Sequence, residues 1–303
     1  MTLKISNINR ALLISAVALF CILPLSAQID TSASLLGDEP EIEDKVIGAF
    51  KTTRVINMQS MEMTDPGVLD IKINHRFGSF KTGAYEAFGL DNAQVRIGAD
   101  YGIIPNFAVS FGRSSVQQML DVGLKYRIMQ QTSNNKKPFS LLAYFSIARN
   151  GGKSVSYPDL SSRLSHVSQI IIGKKFNDAF SMQISPSFVV MNPQQFQSGQ
   201  EYAALGIGIR QKITARTSFN AEWIPYTQLS NSRSGKTGFR NSFSLGFDIE
   251  TGGHVFQLHF TNSAGMVDQY FIPRTADNWL DGGFRFGFNI SRVFTVVSPE
   301  KFR

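Results

Sequence analysis

The stretch that most constrains the fold is Asn241–Asn262, NSFSLGFDIETGGHVFQLHFTN. Phe243, Leu245, Phe247 and Ile249 alternate with Ser244, Gly246, Asp248 and Glu250. Beyond Thr251-Gly252-Gly253, Phe256, Leu258 and Phe260 alternate with Gln257, His259 and Thr261. A period of two sends apolar side chains to one face of a sheet and polar ones to the other. The glycine pair suits the positive φ angles of a tight hairpin. The fold therefore turns on what the aromatic face meets, a protein core or lipid.

The same rhythm runs along most of the chain. Leu69, Ile71, Ile73 and Phe77 alternate with Asp70, Lys72, Asn74 and Arg76; Val95 to Tyr101 alternates with Gln94, Arg96, Gly98 and Asp100. Leu120 to Ile128 alternates with Asp121, Gly123, Lys125 and Arg127, and Phe284 to Ile290 with Arg285, Gly287 and Asn289. Phe139–Ala148 is apolar on both faces and its phase is ambiguous. Twelve strands are predicted from Leu69 to Phe294, with Arg54–Glu62 an accessory strand or plug element outside the wall. Short connections at 102–106, 177–178, 213–217 and 251–253 alternate with long ones at 78–92, 149–162, 191–200, 227–240 and 263–281. Short turns at one end and long loops at the other form the outer-membrane barrel pattern. The connections at 113–119 and 129–137 depart from it.

A soluble β-sandwich also alternates, but three features favour lipid. The longer strands approach the roughly ten residues of a tilted bilayer span, against about five or six in ordinary sheets. The polar face is repeatedly charged. Phe, 25 residues against two Trp, concentrates on the apolar face, where it has no polar group to satisfy. Closure removes the strand edges that lipid cannot hydrogen-bond. The expected fold is all-β: an antiparallel transmembrane barrel with short periplasmic turns and longer extracellular loops.

Lys4 and Arg10, the apolar run Ala11–Leu25 and the small residues at Leu25-Ser26-Ala27 read as an export signal over 1–27, whose removal takes away Cys21, the chain's single cysteine. Residues 28–52 read as an acidic flexible lead or plug, with a short helix near Glu41–Phe50; 53–297 as the barrel; 298–303 as a tail. Residues 28–50 hold six acids and one base, whereas 51–303 carry 27 bases and 17 acids. Export and the lack of a basic helix set aside nucleic acid as the partner of that basic body. Outer-membrane lipid and lipopolysaccharide, barrel-insertion machinery and a small solute are the expected partners. The loop Thr227–Arg240, with Arg233, Lys236 and Arg240, is the candidate lipopolysaccharide contact.

The hairpin Asp248–Phe260, the strand end Asn74–Gly78 and the closing Phe286–Phe294 resemble a family of β-barrel proteins from Bacteroidota whose domain has no assigned function. The resemblance covers residues 45–297. It implies an outer-membrane barrel behind a signal peptide and transfers no catalytic residue.

Chemistry-bearing residues offer no catalytic centre. Ser165 and His166 point to opposite faces of a strand, so Ser168 alone shares the His166 face, and no orienting Asn or Asp follows. His254 and His259 also face opposite sides and make no metal site. No cofactor is expected. The informative set is the inner face: by phase Lys72, Arg76, Arg96, Lys125, Arg127, Arg210, Lys212 and Arg285 against Asp70, Asp100, Asp121, Glu222, Asp248 and Glu250, with Gln257 and His259 beside them. These are the candidate lumen-lining residues. Two readings stay open: a pore for small, weakly anion-preferring solutes, or a closed barrel serving as anchor or partner in an envelope complex. A lipid hydrolase is the distant third.

Overall fold

A computed structural model describes residues 44–152, 159–191, 200–229, 238–298 and 301. The signal, most of the acidic lead and the loop basic residues Arg233 and Lys236 lie outside them. The strands run β1 (Val68–Phe77), β2 (Ala93–Ile104), β3 (Phe107–Ser114), β4 (Leu120–Met129), β5 (Ser140–Arg149), β6 (Leu164–Lys175), β7 (Phe180–Met191), β8 (Gln200–Lys212), β9 (Thr217–Ile224), β10 (Tyr226–Gln228), β11 (Ser242–Thr251), β12 (His254–Thr261) and β13 (Arg285–Thr295). β9 and β10 are one strand broken at Pro225, both lying against β8. Proline has no N–H to donate, yet its carbonyl still accepts from Leu205 N–H at 2.9 Å. β1 pairs with both β2 and β13, and the wall closes as twelve antiparallel strands.

The alternation read from the sequence is the alternation of the wall. Ile73, Phe111, Leu205, Phe247 and Leu258 stand exposed on the outside, while Lys72, Arg76, Asp121, Asp248 and Gln257 are buried inside. The opening hairpin is β11–β12, with Gly252 and Gly253 at φ +45° and +92° in the turn. No described helix is long and apolar enough to cross a membrane.

The two irregular connections have physical causes. At the loop end, β3 and β4 are joined by the tight Ser115–Met119 link, where Ser114 N–H donates to Met119 O at 2.8 Å. At the turn end, residues 130–139 are long because the N-terminal segment docks there: Lys45 bridges Thr132, and Val46 N–H donates to Gln131 O at 2.9 Å. This extended docking replaces the helix expected near Glu41–Phe50 over its described part, residues 44–50.

Candidate functional site

The lumen is occupied. Residues 49–64 enter from the turn end, run up inside the barrel and return to β1. Thr53 through Met61 are almost wholly buried, with Val55 and Ile56 at 0% exposure. The segment is a hairpin-like finger in which Ser60 N–H donates to Thr53 O and Val55 N–H to Met58 O, both at 2.9 Å.

The finger's tip is closed by the wall. The buried Glu222 carboxylate on β9 accepts from the backbone N–H groups of Ile56, Asn57 and Met58 at 2.9–3.1 Å, and from the Asn57 side chain at 2.7 Å. Successive N–H groups aimed at one carboxylate form an anion-holding nest. Gln257 Nε2 donates to Val55 O at 2.5 Å and Asn289 Nδ2 to Ile56 O at 3.1 Å. Gln183 donates to Gln59 O and accepts from Met61 N–H, at 2.7 and 2.8 Å. Arg76 Nη2 donates to Asn57 Oδ1 at 2.6 Å.

Apolar fit accompanies these bonds. Val55, Met58 and Met61 join Leu142, Tyr144, Val167, Ile171, Val189 and Tyr202 in one buried cluster inside the barrel. Three inward glycines make room: a Cβ on Gly206 would lie 2.8 Å from Met58 Cε and one on Gly208 3.0 Å from Val55 Cγ2, and a Cβ on Gly173 would strike Met61 Sδ.

A second insert descends from the loop end. After β12 the chain folds inward through Met266, Val267 and helix α1 (Asp268–Phe271), and Phe271 and Ile272 enter the same apolar cluster. Gln269 donates to Ser146 Oγ at 2.8 Å. The inserts meet where Arg54 of the finger pairs with buried Asp268 at 3.4 Å. The cavities between finger and wall are small, about 10 Å³ each, beside Thr53, Asp100 and Lys125 and beside Lys72, Asn74 and Gln257. That is space for a single water.

The expected lumen residues divide into a deep set and a rim set. Deep in the barrel, Lys72 bridges Asp70 and Asp100, Arg96 pairs with Asp121, and Asp248 accepts from Gln257 at 2.7 Å. Lys125 donates to the finger carbonyls of Thr53 and Glu62, and Arg210 to those of Gly48 and Ala49. Arg76, Glu222 and His259 are also deep, with His259 lying against the wall glycines Gly246 and Gly287. At the rims, Arg127 donates to Gln130 at 3.2 Å, Glu250 pairs with Lys51, and Arg285 pairs with Asp277 at 2.6 Å. Lys212 is a rim residue as well, half-buried beside the 213–216 turn.

The outward His166 packs near Phe145, and neither its Nε2 nor Ser168 Oγ has a hydrogen-bond partner. Sequence reasoning missed Asn57, Glu62 and the whole loop-end insert. Glu62 carried one signal, an acid amid Met58, Met61 and Met63; it accepts from Ala49 N–H at 2.7 Å and closes the base of the finger.

No curated protein matches the chain in sequence. Among solved structures the fold is similar to the NanC porin, at 10% identity and TM-score 0.50 over 76% of this chain and 100% of that one. The KdgM porin aligns over 75% and 99% of the two chains at 10% identity and TM-score 0.45. LpxR from Salmonella typhimurium aligns over 75% and 99% at 10% identity and TM-score 0.36. A family model described as a membrane bound beta barrel domain, DUF5777, matches residues 50–294. An outer-membrane barrel with this wall, matched over nearly its whole length, belongs to the DUF5777 family.

Proposed function

We propose that the protein is a porin-like outer-membrane barrel held shut by its own finger. One observation carries the reading. The space inside is filled by a removable segment, because Gly173, Gly206 and Gly208 face inward and Met61, Met58 and Val55 of the finger lie over them. About eight strands enclose room for wall side chains alone, and sixteen or more leave an open channel. Twelve strands with a glycine floor leave a narrow channel once the finger is gone and the loop-end insert, released from Arg54, swings aside with Phe271 and Ile272. The porin fold of the NanC neighbour is consistent with that use.

Charge selectivity is expected to be weak. Deep in the wall, Lys72, Arg76, Arg96, Lys125 and Arg210 are matched in number by Asp70, Asp100, Asp121, Glu222 and Asp248. The basic excess of the sequence count comes from the rim residues Arg127, Lys212 and Arg285.

The second reading, a permanently closed anchor, draws on the buried apolar side of the finger. Each of Val55, Ile56 and Met58 adds roughly 1.5–3 kcal/mol against departure. Planar-bilayer recording separates the two. The full chain is expected to stay closed with rare openings, and a variant with residues 48–64 replaced by a short glycine–serine linker to conduct steadily with a reversal potential near zero. A linker variant that shows the heat-modifiable migration of a folded barrel but passes no current would leave the anchor reading alone.

A further inference from the structure

We infer that the lumen is a peptide-binding site, and that the solute it takes when the finger is out is an extended oligopeptide read through its main chain. This rests on the porin-like reading above and names its substrate class. The finger is held largely by its backbone. Glu222, Gln183, Gln257, Asn289, Lys125 and Arg210 come from six different wall strands, and each bonds to main-chain N–H or C=O groups of the finger. Wall side chains even take over the bonds that a hairpin tip makes to itself: Met58 N–H goes to Glu222, and Val55 O accepts from Gln257. Buried main-chain groups need partners in any case, and here wall side chains supply them where the finger's own hairpin bonds would. Recognition through main-chain amides with shallow side-chain seats is how proteins bind peptides of varied sequence.

The seats are present too. Gly206 and Gly208 leave flat ground under Met58 and Val55, so the finger's side chains need only be slim and apolar there. Asn57 supplies the sequence-specific element and fixes the register, its amide donating to Glu222 and Ser244 and accepting from Arg76. Sugar hydroxyls can also donate to a carboxylate and accept from an amide, but three consecutive N–H groups converging on Glu222 are a main-chain feature, and a sugar oligomer is the competitor that tests the distinction. The ligand class is therefore an unfolded peptide with an Asn or similar small amide at a bend.

The test uses the linker variant in detergent with a fluorescein-labelled peptide of sequence 49–64 read by anisotropy. The peptide is expected to bind, and the same peptide with Lys51, Gln59 and Met63 changed to Ala, which leaves the buried Ile56, the Arg54 and Thr53 contacts, Asn57 and the glycine-seat residues in place, to bind within about tenfold. A peptide N-methylated at the residues equivalent to Ile56, Asn57 and Met58 is expected to lose at least about tenfold, because it keeps every side chain and loses three donors to a carboxylate. Maltohexaose is expected not to compete. The inference is overturned if the parent peptide does not bind, if the N-methylated peptide binds equally well, or if maltohexaose competes as strongly. Should the linker variant not fold, the full chain carrying Asn57→Ala keeps the wall intact, loosens the finger and is read by the same competition. Block of the bilayer current by the peptide separates the two levels. Current without block sinks the peptide inference and leaves the pore, whereas anisotropy without current sinks the pore and leaves the peptide site.

Discussion

The lumen wall has two unlike arcs. Along β1–β4 and β9–β13 the inward positions are charged or amide-bearing: Lys72, Arg76, Arg96, Asp121, Glu222, Asp248, Gln257 and His259. Along β5–β8 most are apolar or small, among them Leu142, Tyr144, Val167, Ile171, Val189, Tyr202, Ala204, Gly206 and Gly208, with Gln169, Gln183, Gln200 and Arg210 the exceptions. A water-filled channel gives no reason for the second arc, since apolar side chains gain nothing by facing water. The finger gives the reason. It is two-sided, with Val55, Met58 and Met61 on the apolar arc and Thr53 and Asn57 bonded across to Asp100, Arg76, Ser244 and Thr261. The β5–β8 arc holds the finger mainly by shape, with Gln183 and Arg210 adding bonds, and the other arc holds it by hydrogen bonds, so the two contributions can be broken separately.

The largest effect is expected on the polar side. Glu222→Ala strips the acceptor from three buried N–H groups and from the Asn57 amide. Each orphaned donor costs roughly 1–3 kcal/mol, so docking of the finger weakens by about 3 kcal/mol or more. Amide hydrogen exchange across residues 53–61 is expected to accelerate over a hundredfold, while exchange in the strand ladders holds. Unchanged exchange at the tip would show that Glu222 does not hold it.

On the apolar side, Gly208→Leu drives a side chain into the space of Val55. Overpacking of this kind costs about 1–3 kcal/mol, and here the finger rather than the ladder is free to yield. The expected result is faster exchange in the finger and intermittent bilayer current, with barrel melting barely moved. Leu205→Ala, three positions back on the same strand and facing out, is the control and is expected to leave the finger alone. Below that in size lies Gln257→Ala, which removes one bond to Val55 O, one to Asp248 and one from Asn289, and, with only the first of these made to the finger, is expected to weaken docking by about 1 kcal/mol, read by the same exchange.

The contrast between arcs also explains how much the sequence could reveal. Wherever the inner neighbour is charged, the alternation states both faces. The register of β11–β12, the outward Phe247 and Phe260 and the inward Asp248 and His259 were all readable from residues alone. At Phe139–Ala148 the phase is ambiguous because both faces are apolar, Leu141, Phe145 and the exposed Ile147 outward and the buried Leu142, Tyr144 and Ala148 inward. A strand of this kind signals that something fills the barrel beside it. The filling segment carries no such mark. Arg54–Glu62 has too little alternation for a wall strand, and its bonds go to residues over a hundred positions away, Gln183 and Glu222 among them. The loop-end insert at 266–272 was hidden for the same reason, since a short apolar run in a long loop looks like any surface excursion until its burial is known.

The smallest effect belongs to the loop end, where a lock joins the inward-folded loop to the wall. Asp277 accepts from Lys81 at 2.8 Å and from Arg285 at 2.6 Å. Burial works to raise the Asp277 pKa, but the hydrogen bonds and charges of Lys81 and Arg285 outweigh it, and the carboxyl titrates below its ordinary value of 3.8. A carboxyl depressed in the folded state stabilises above its unfolded pKa and loses that contribution as pH falls through the folded one. The lock therefore holds from neutral pH down to about 4 and lets go only below it. Lys81 is half exposed, so water and salt screen its share and the effect stays modest. Limited proteolysis at residues 274–284 is expected to be flat between pH 7 and 5 and to rise below 4, with Asp277→Asn showing the acid pattern already at pH 7. In Asp277→Asn at pH 7 the protection of the finger amides is expected to match that of the parent chain, because the lock grips the loop at the rim while the finger is held deeper, by Glu222 and the glycine seats. If Asp277→Asn at pH 7 released the finger together with the loop, the Arg54–Asp268 contact would be carrying the connection from rim to tip, and the two inserts would have to be treated as one moving part.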